Sequence, residues 1–308
     1  MHSRPRLLTI RLTMRLTMWL ALLLTLAVMS ATARPVAAQT LRVGLVAEHD
    51  IFTQKKIYSP LFEYLGVQLG LSFELQVLPR HGKVNELFAR QELDAAFFGC
   101  LTAARAIETV GMRPLARPLY TAGLASDYAI VFVRRNSAIR SAADMRNQRV
   151  VFVDEASATG YLLPLRYFKE IGIDDYRTWF AQYYFAGTYE DTIYEVIKGY
   201  ADIGATRSSM FYRITGANPE ILEQLEILNS SPHIPSITFG VAAKLDIDIV
   251  IRLREELLTM HQDVAGREVL ETLGVQRFIL TTREDFIPLQ IYAEELGVDI
   301  AEDPDTND

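Results

Sequence analysis

The chain has 308 residues, 50% of them apolar and 22% charged, with 17 Gly, 12 Pro, one Cys and a formal net charge of −7. This composition excludes a collagen-like, low-complexity or disordered chain. The lone Cys excludes an intramolecular disulfide or a multi-cysteine zinc site, and the acidic balance argues against nucleic acid as a partner.

Arg4, Arg6, Arg11 and Arg15 precede an apolar run over 18–29, and small residues follow at Ala31-Thr32-Ala33 and Val36-Ala37-Ala38. This order predicts a secretory signal peptide cleaved after Ala38, because the run falls short of the roughly 20 residues a spanning helix needs. No Cys stands just after the run, so a lipid anchor is not expected. Removing residues 1–38 takes away five Arg and no acids, which leaves 26 basic and 38 acidic residues, a net −12. At roughly 150 residues per domain the length suggests two compact units.

Beyond the leader the pattern alternates between two periods. Apolar and polar residues alternate over 41–47 and 73–78, and short apolar runs lie at 95–98, 129–133, 150–153 and 237–241, the signature of strands buried on both faces. Between them Ile193, Val196, Ile197 and Tyr200 form one helical stripe and Val250, Leu253, Leu257 and Met260 another. Ser59-Pro60 reads as the N-cap and first residue of a helix running to about Leu69, and Ser141 to Asp144 as a capping-box start. Strand and helix in alternation predict an α/β fold with mostly parallel sheets. No internal repeat or low-complexity linker is evident, and the acidic tail after Ile300 is expected to fray.

The most informative stretch follows the strand at 150–153: Asp154-Glu155-Ala156-Ser157-Ala158-Thr159-Gly160, then Pro164. A strand end, a hydroxyl-rich loop and a helix start present N–H donors and a positive dipole end, which suits an anion; plain capping by Ser157 or Thr159 is the competing reading. It is not a P-loop, since the Gly-Lys pattern is absent. Gly99-Cys100-Leu101-Thr102 repeats the arrangement, and the thiol there is either a cleft group or a buried small hydrophobe. Tyr58 is placed to donate a hydroxyl into a cleft or to lie as a surface aromatic. Ser126-Asp127-Tyr128 reads as a crossover between domains. Of the aromatic cluster at Tyr183, Tyr184, Phe185 and Tyr189, only Tyr189 falls at a helix start. Asp202 and Arg207 read as a solvated ion pair. The five histidines are isolated and no hydrolase or metalloprotease motif occurs, so no enzyme, metal or cofactor is expected.

In order and spacing these segments resemble the phosphonate/phosphite/phosphate-binding (PhnD-like) family of periplasmic solute-binding proteins. The likeness runs from Leu41-Arg42-Val43-Gly44-Leu45 and Tyr58–Leu65 through Leu93–Gly99, Ser141–Arg146 and Asp154–Gly160 to Gly199–Ala205, and spans about 41–245. It implies a two-lobed type II clamshell with mixed, mostly parallel sheets and chain crossings near 126–128 and 232–236. Lobe 1 is then 39–126 plus 236–308 and lobe 2 is 127–235. It further implies that Ser157, Ala158, Thr159 and Gly160 grip an oxyanion. Tyr58, Phe98, Gly99 and Cys100 face it from the first lobe, and Tyr128, Tyr189 and Arg207 complete the set. The protein would be a monomer that hands a small oxyanion to a membrane ABC permease. Two departures stand out: Tyr189 replaces a His common in the family, and Cys100 replaces a small or aromatic residue. The second departure resembles an arsenite-sensing (AioX-like) branch, in which Cys100 would ligate a thiophilic ligand and a membrane histidine kinase would read the signal.

Overall fold

A computed structural model describes residues 39–46, 51–120 and 125–302; residues 1–38, expected to be a signal peptide, and the end of the acidic tail lie outside the described residues. Thirteen strands are described: β1 (Thr40–Leu45), β2 (Ser72–Val77), β3 (Ala95–Phe98), β4 (Arg113–Tyr120), β5 (Ser126–Asp127), β6 (Ala129–Arg134), β7 (Arg149–Phe152), β8 (Gln182–Phe185), β9 (Ile203–Arg207), β10 (Leu225–Ser230), β11 (Ile234–Pro235), β12 (Thr238–Val241) and β13 (Val275–Leu280). They form a six-stranded sheet in the order β13-β4-β12-β3-β1-β2, a five-stranded sheet in the order β10-β6-β9-β7-β8, and a two-stranded ribbon of β5 with β11.

The ribbon lies where the chain passes from one sheet to the other: β5 follows β4 of the first sheet and leads into β6 of the second, and β11 follows β10 and leads back into β12. Both sheets are mixed. The parallel pairs β1–β2, β1–β3, β7–β8 and β7–β9 are joined through helices. The strands entered straight from the ribbon, β6 and β12, run against their neighbours. Helices cover the sheets, and Leu41, Val43, Phe97, Phe239 and their neighbours bury the first core, while two clusters built on Val151 and Phe152 bury the faces of the second sheet. Ala158, Leu162 and Leu163, which follow β7, pack into the first sheet's core.

The first helix departs from expectation. It spans Ile51–Leu69, with Pro60 in its interior rather than at its first turn. An internal proline costs about 3 kcal/mol. Burial of Tyr58, Leu61, Phe62 and Leu65 offsets that, and Gln54 Nε2 donates to the Val46 carbonyl at 2.8 Å to anchor the first turns. The capping box at Ser141 is present, with the Ser141 N–H donating to Asp144 at 2.9 Å. The stripe at 193–200 ends early: the helix is Tyr189–Ile197, and Tyr200 is exposed.

Each sheet is locked by the same device. Arg42 on β1 donates from Nε and Nη2 to Asp94, at 3.0 and 3.1 Å, and its backbone N–H adds a third bond at 3.0 Å. Arg149 on β7 makes the matching bonds to Asp202 at 2.9, 2.9 and 3.0 Å. In each case the Arg also reaches a carbonyl just before the acid, Gln91 or Gly199, at 2.8 Å. Arg134 adds another bond to Asp202 at 3.1 Å. Burial works to raise the Asp202 carboxyl, but the Arg149 and Arg134 bonds outweigh it and hold the group below the usual carboxylate range. Asp202→Asn is expected to destabilise the fold by about 1.5–3 kcal/mol near neutral pH, read by denaturant unfolding. Because the folded pKa is depressed, this contribution is full above the unfolded value of about 3.9. The gap between wild type and variant should therefore close as pH falls through the lower folded value.

Candidate polar chamber between the two sheets

The site starts at the end of β7. The Ala156 N–H donates to Asp154 at 2.8 Å and turns the chain sharply. Ser157 is extended and accepts from the Gly160 N–H at 2.9 Å; a wide turn at Ala158–Leu162 then feeds the helix Leu163–Glu170, with Pro164 in its first turn. Only glycine fits at 160, because a Cβ there would sit 2.4 Å from the Val153 side chain.

Tyr189 is the hub of the site. It opens the helix Tyr189–Ile197, capped by Thr188. Its hydroxyl lies 2.9 Å from Ser157 Oγ and 3.4 Å from Thr159 Oγ1. Arg207, at the end of β9, lays its guanidinium 4.7 Å over the Tyr189 ring, and its Nε is 3.9 Å from the buried Asp127 carboxylate on β5. From the first sheet, His81 meets the Tyr189 ring edge-on at 5.3 Å. The His81 backbone N–H donates to Asp154 at 3.4 Å, and its Nδ1 stands 4.0 Å from the same carboxylate. The Gly99-Cys100 turn after β3 closes the opposite wall.

These groups surround a cavity of about 20 Å³. Its polar lining includes the Ser157, Thr159 and Tyr189 hydroxyls, the Arg207 guanidinium and the His81 imidazole, with the Asp127 carboxylate beside Arg207. Such a set complements oxygen atoms that carry negative charge. The Cys100 thiol begins the helix Cys100–Val110, yet burial pushes its pKa far up, with a smaller opposing pull from Arg117. The thiol is thus a buried group in the chamber wall, and burial disfavours its charged form. Among the described residues, no cluster of three or more His, Cys, Asp or Glu side chains is disposed to hold a metal, and no helix is long and apolar enough to cross a membrane.

Of the residues expected at a site, Gly99, Cys100, Ser157, Ala158, Thr159, Tyr189 and Arg207 line this chamber together. Four do not. Tyr58 packs 5.0 Å from Phe97 and walls a neighbouring apolar hollow. Phe98, fully buried, faces Phe88 in the core at 4.9 Å, because strand alternation sends it away from Phe97. Tyr128 packs tilted against His233 at 4.8 Å, and Gly160 sits behind Ser157 as its donor. Asp202 and Arg207 are not an ion pair. They stand near opposite ends of β9, roughly 16 Å apart at strand rise, and each has its own partners. His81 also lines the chamber, as do Asp127 and the 234–237 segment, which the sequence marks as crossings rather than as site residues. His81 lies in the loop after β2, at the same strand end as the Gly99 turn, and that shared strand end is the cue that would have found it.

A chamber walled by the strand ends of two α/β sheets, with the chain crossing twice between them, defines the two-lobed type II periplasmic-binding-protein fold. The chain belongs to the family described as "ABC transporter, phosphonate, periplasmic substrate-binding protein", whose family model matches residues 45–286. It is 19% identical over 270 residues to the phosphonates-binding periplasmic protein of Escherichia coli (strain K12), covering 84% of this chain and 78% of that one. It also resembles the crystal structure of a binding-protein component of an ABC phosphonate transporter from Pseudomonas aeruginosa, with TM-score 0.77 and 18% identity over 84% of this chain and 87% of that one. A Prochlorococcus marinus (MIT 9301) protein solved with methylphosphonate is similar, with TM-score 0.75 and 18% identity over 84% and 98% of the two chains. Gly160→Ala is expected to cost about 1–3 kcal/mol of stability through the clash with Val153, a loss that thermal unfolding would show as a lowered Tm.

Proposed function

We propose that the protein captures a small oxyanion or oxyacid of the phosphonate, phosphite or phosphate type between its two lobes and presents it to a membrane ABC permease. The observation that carries this reading is the convergence of Ser157, Thr159, Tyr189 and Arg207 from one side and His81 from the other on a single buried chamber. Where the family resemblance places a His in the 187–189 segment, this chain carries Tyr189, and His81 offers an imidazole to the same chamber from across it. The binding of methylphosphonate by the Prochlorococcus marinus protein and of phosphonates by the Escherichia coli protein supports the class of guest.

The lobes are 39–126 plus 236–308 and 127–235, and the β5–β11 ribbon is their hinge. Groups from both lobes meet the guest only when the cleft is shut, so binding shifts the population towards the closed form. Closed contacts extend to the outer rim, where Arg166 and Lys169 donate to Glu295 at 2.9 and 2.6 Å. With a net −12 after loss of residues 1–38, the bulk field repels anions, so capture relies on short-range donors. Export directed by residues 1–38, with cleavage after Ala38, brings the protein to the periplasm, where it acts as a monomer without cofactor or catalysis.

Thermal shift followed by calorimetry with phosphate, phosphite, methylphosphonate, sulfate, arsenate and arsenite tests the reading. A phosphorus oxyanion should raise Tm by mass action, and Ser157→Ala should weaken it by roughly tenfold or more through the lost charge-assisted bond. If arsenite alone stabilised the protein, and Cys100→Ser abolished that effect, the thiol-dependent sensor would replace the transport reading.

A further inference from the structure

A second, far larger cavity of about 740 Å³ adjoins the polar chamber, and Arg207 and Ile237 line both. Its walls come from both lobes: Tyr58, Phe97 and Phe278 from the first, Met210 and Tyr212 of the helix Ser208–Ala217 from the second. Tyr58, Phe97, Phe278 and Met210 are buried, while Tyr212 stands at the exposed rim. Two of the polar groups in its wall, the Ser208 and Ser209 hydroxyls, are committed to Asp127. Protein interiors hold few voids larger than a water, and pockets for organic ligands run from about 300 to 1,000 Å³ with mostly apolar walls. This hollow has that size and that character. Its aromatic walls, with Tyr58 and Phe97 tilted at 5.0 Å and Phe97 and Phe278 at 6.4 Å, offer edges and faces to a further ring.

We propose that the preferred guest carries an apolar, ring-sized organic group on its oxyanion, with the anionic end in the Ser157–Tyr189 chamber and the organic group in the hollow beyond Arg207. The chemical class is an aromatic organophosphonate rather than inorganic phosphate or a one-carbon phosphonate. The inference rests on the oxyanion reading of the chamber. A guest confined to that small chamber would leave the large apolar surface unused, whereas a ring placed in the hollow removes apolar area from water on both sides.

Calorimetry on the whole protein with methylphosphonate and phenylphosphonate separates the possibilities. Phenylphosphonate should bind roughly tenfold or more tightly than methylphosphonate, as burial of a ring predicts. Leu273→Trp at the half-buried wall, or Met210→Phe should the first variant fold poorly, should erase that advantage while leaving methylphosphonate affinity within about twofold. If methylphosphonate bound as tightly as phenylphosphonate or more so, the hollow would be no part of the site, while the oxyanion reading would stand. If neither phosphonate bound while phosphate or phosphite did, this inference would fail and the oxyanion reading would stand; if none of the four bound, both would fail.

Discussion

Asp127 is a carboxylate buried in the ribbon where the chain crosses between sheets. Left unpaired, it would cost several kcal/mol. It accepts instead from the hydroxyls of Ser208 and Ser209, from the Ser209 N–H at 3.0 Å and from its neighbour Tyr128's N–H at 3.1 Å. The crossing and the start of the helix Ser208–Ala217 are thereby fixed to one another, and Arg207, one residue before that helix, is held beside the same carboxylate. Arg207 lies on Tyr189, Tyr189 meets Ser157 and Thr159, and His81 reaches in from the other sheet. The crossing itself lines the chamber, and this run of contacts joins it to the hydroxyls of the second sheet and to His81 of the first.

In the proposed function, capture of a guest by groups from both sheets is what a membrane permease would read. A guest touching only one lobe would have no differential affinity for open and closed forms and would shift nothing. In the proposed capture, donors divided between the lobes couple closure to binding. The ribbon is short, two residues on each strand, so the two sheets are joined by little backbone while each keeps its own arginine–aspartate clamp. Each sheet has its own internal clamp and the joint is small, which is the arrangement expected of a hinge. Net negative charge keeps long-range attraction low, leaving discrimination to the short-range donor set.

Much of this was legible in the sequence. The buried apolar runs at 95–98, 129–133 and 150–153 became β3, β6 and β7, and the hydroxyl-rich loop after β7 stands in the chamber wall because a strand end and a helix start place it there. What was not legible depends on contacts distant in sequence. The helix through Pro60 reads as a later start until its buried face is seen to continue past it. β4 contains Pro114 and Pro118, which argue against a strand, yet β12 and β13 flank it; the β12 pairing shifts register beside Pro114, while Pro118 pairs in register with Phe278. The twin clamps Arg42–Asp94 and Arg149–Asp202 join residues about fifty positions apart, so local pattern reads Asp202 as a surface charge. His81 acquires its meaning only when the second lobe brings Tyr189 against it.

Small-angle X-ray scattering of the protein with and without saturating methylphosphonate addresses the central claim, that two lobes close on the guest about the β5–β11 ribbon. The account predicts a smaller radius of gyration in the liganded protein. An unchanged radius, at a concentration where calorimetry shows the site filled, would contradict it.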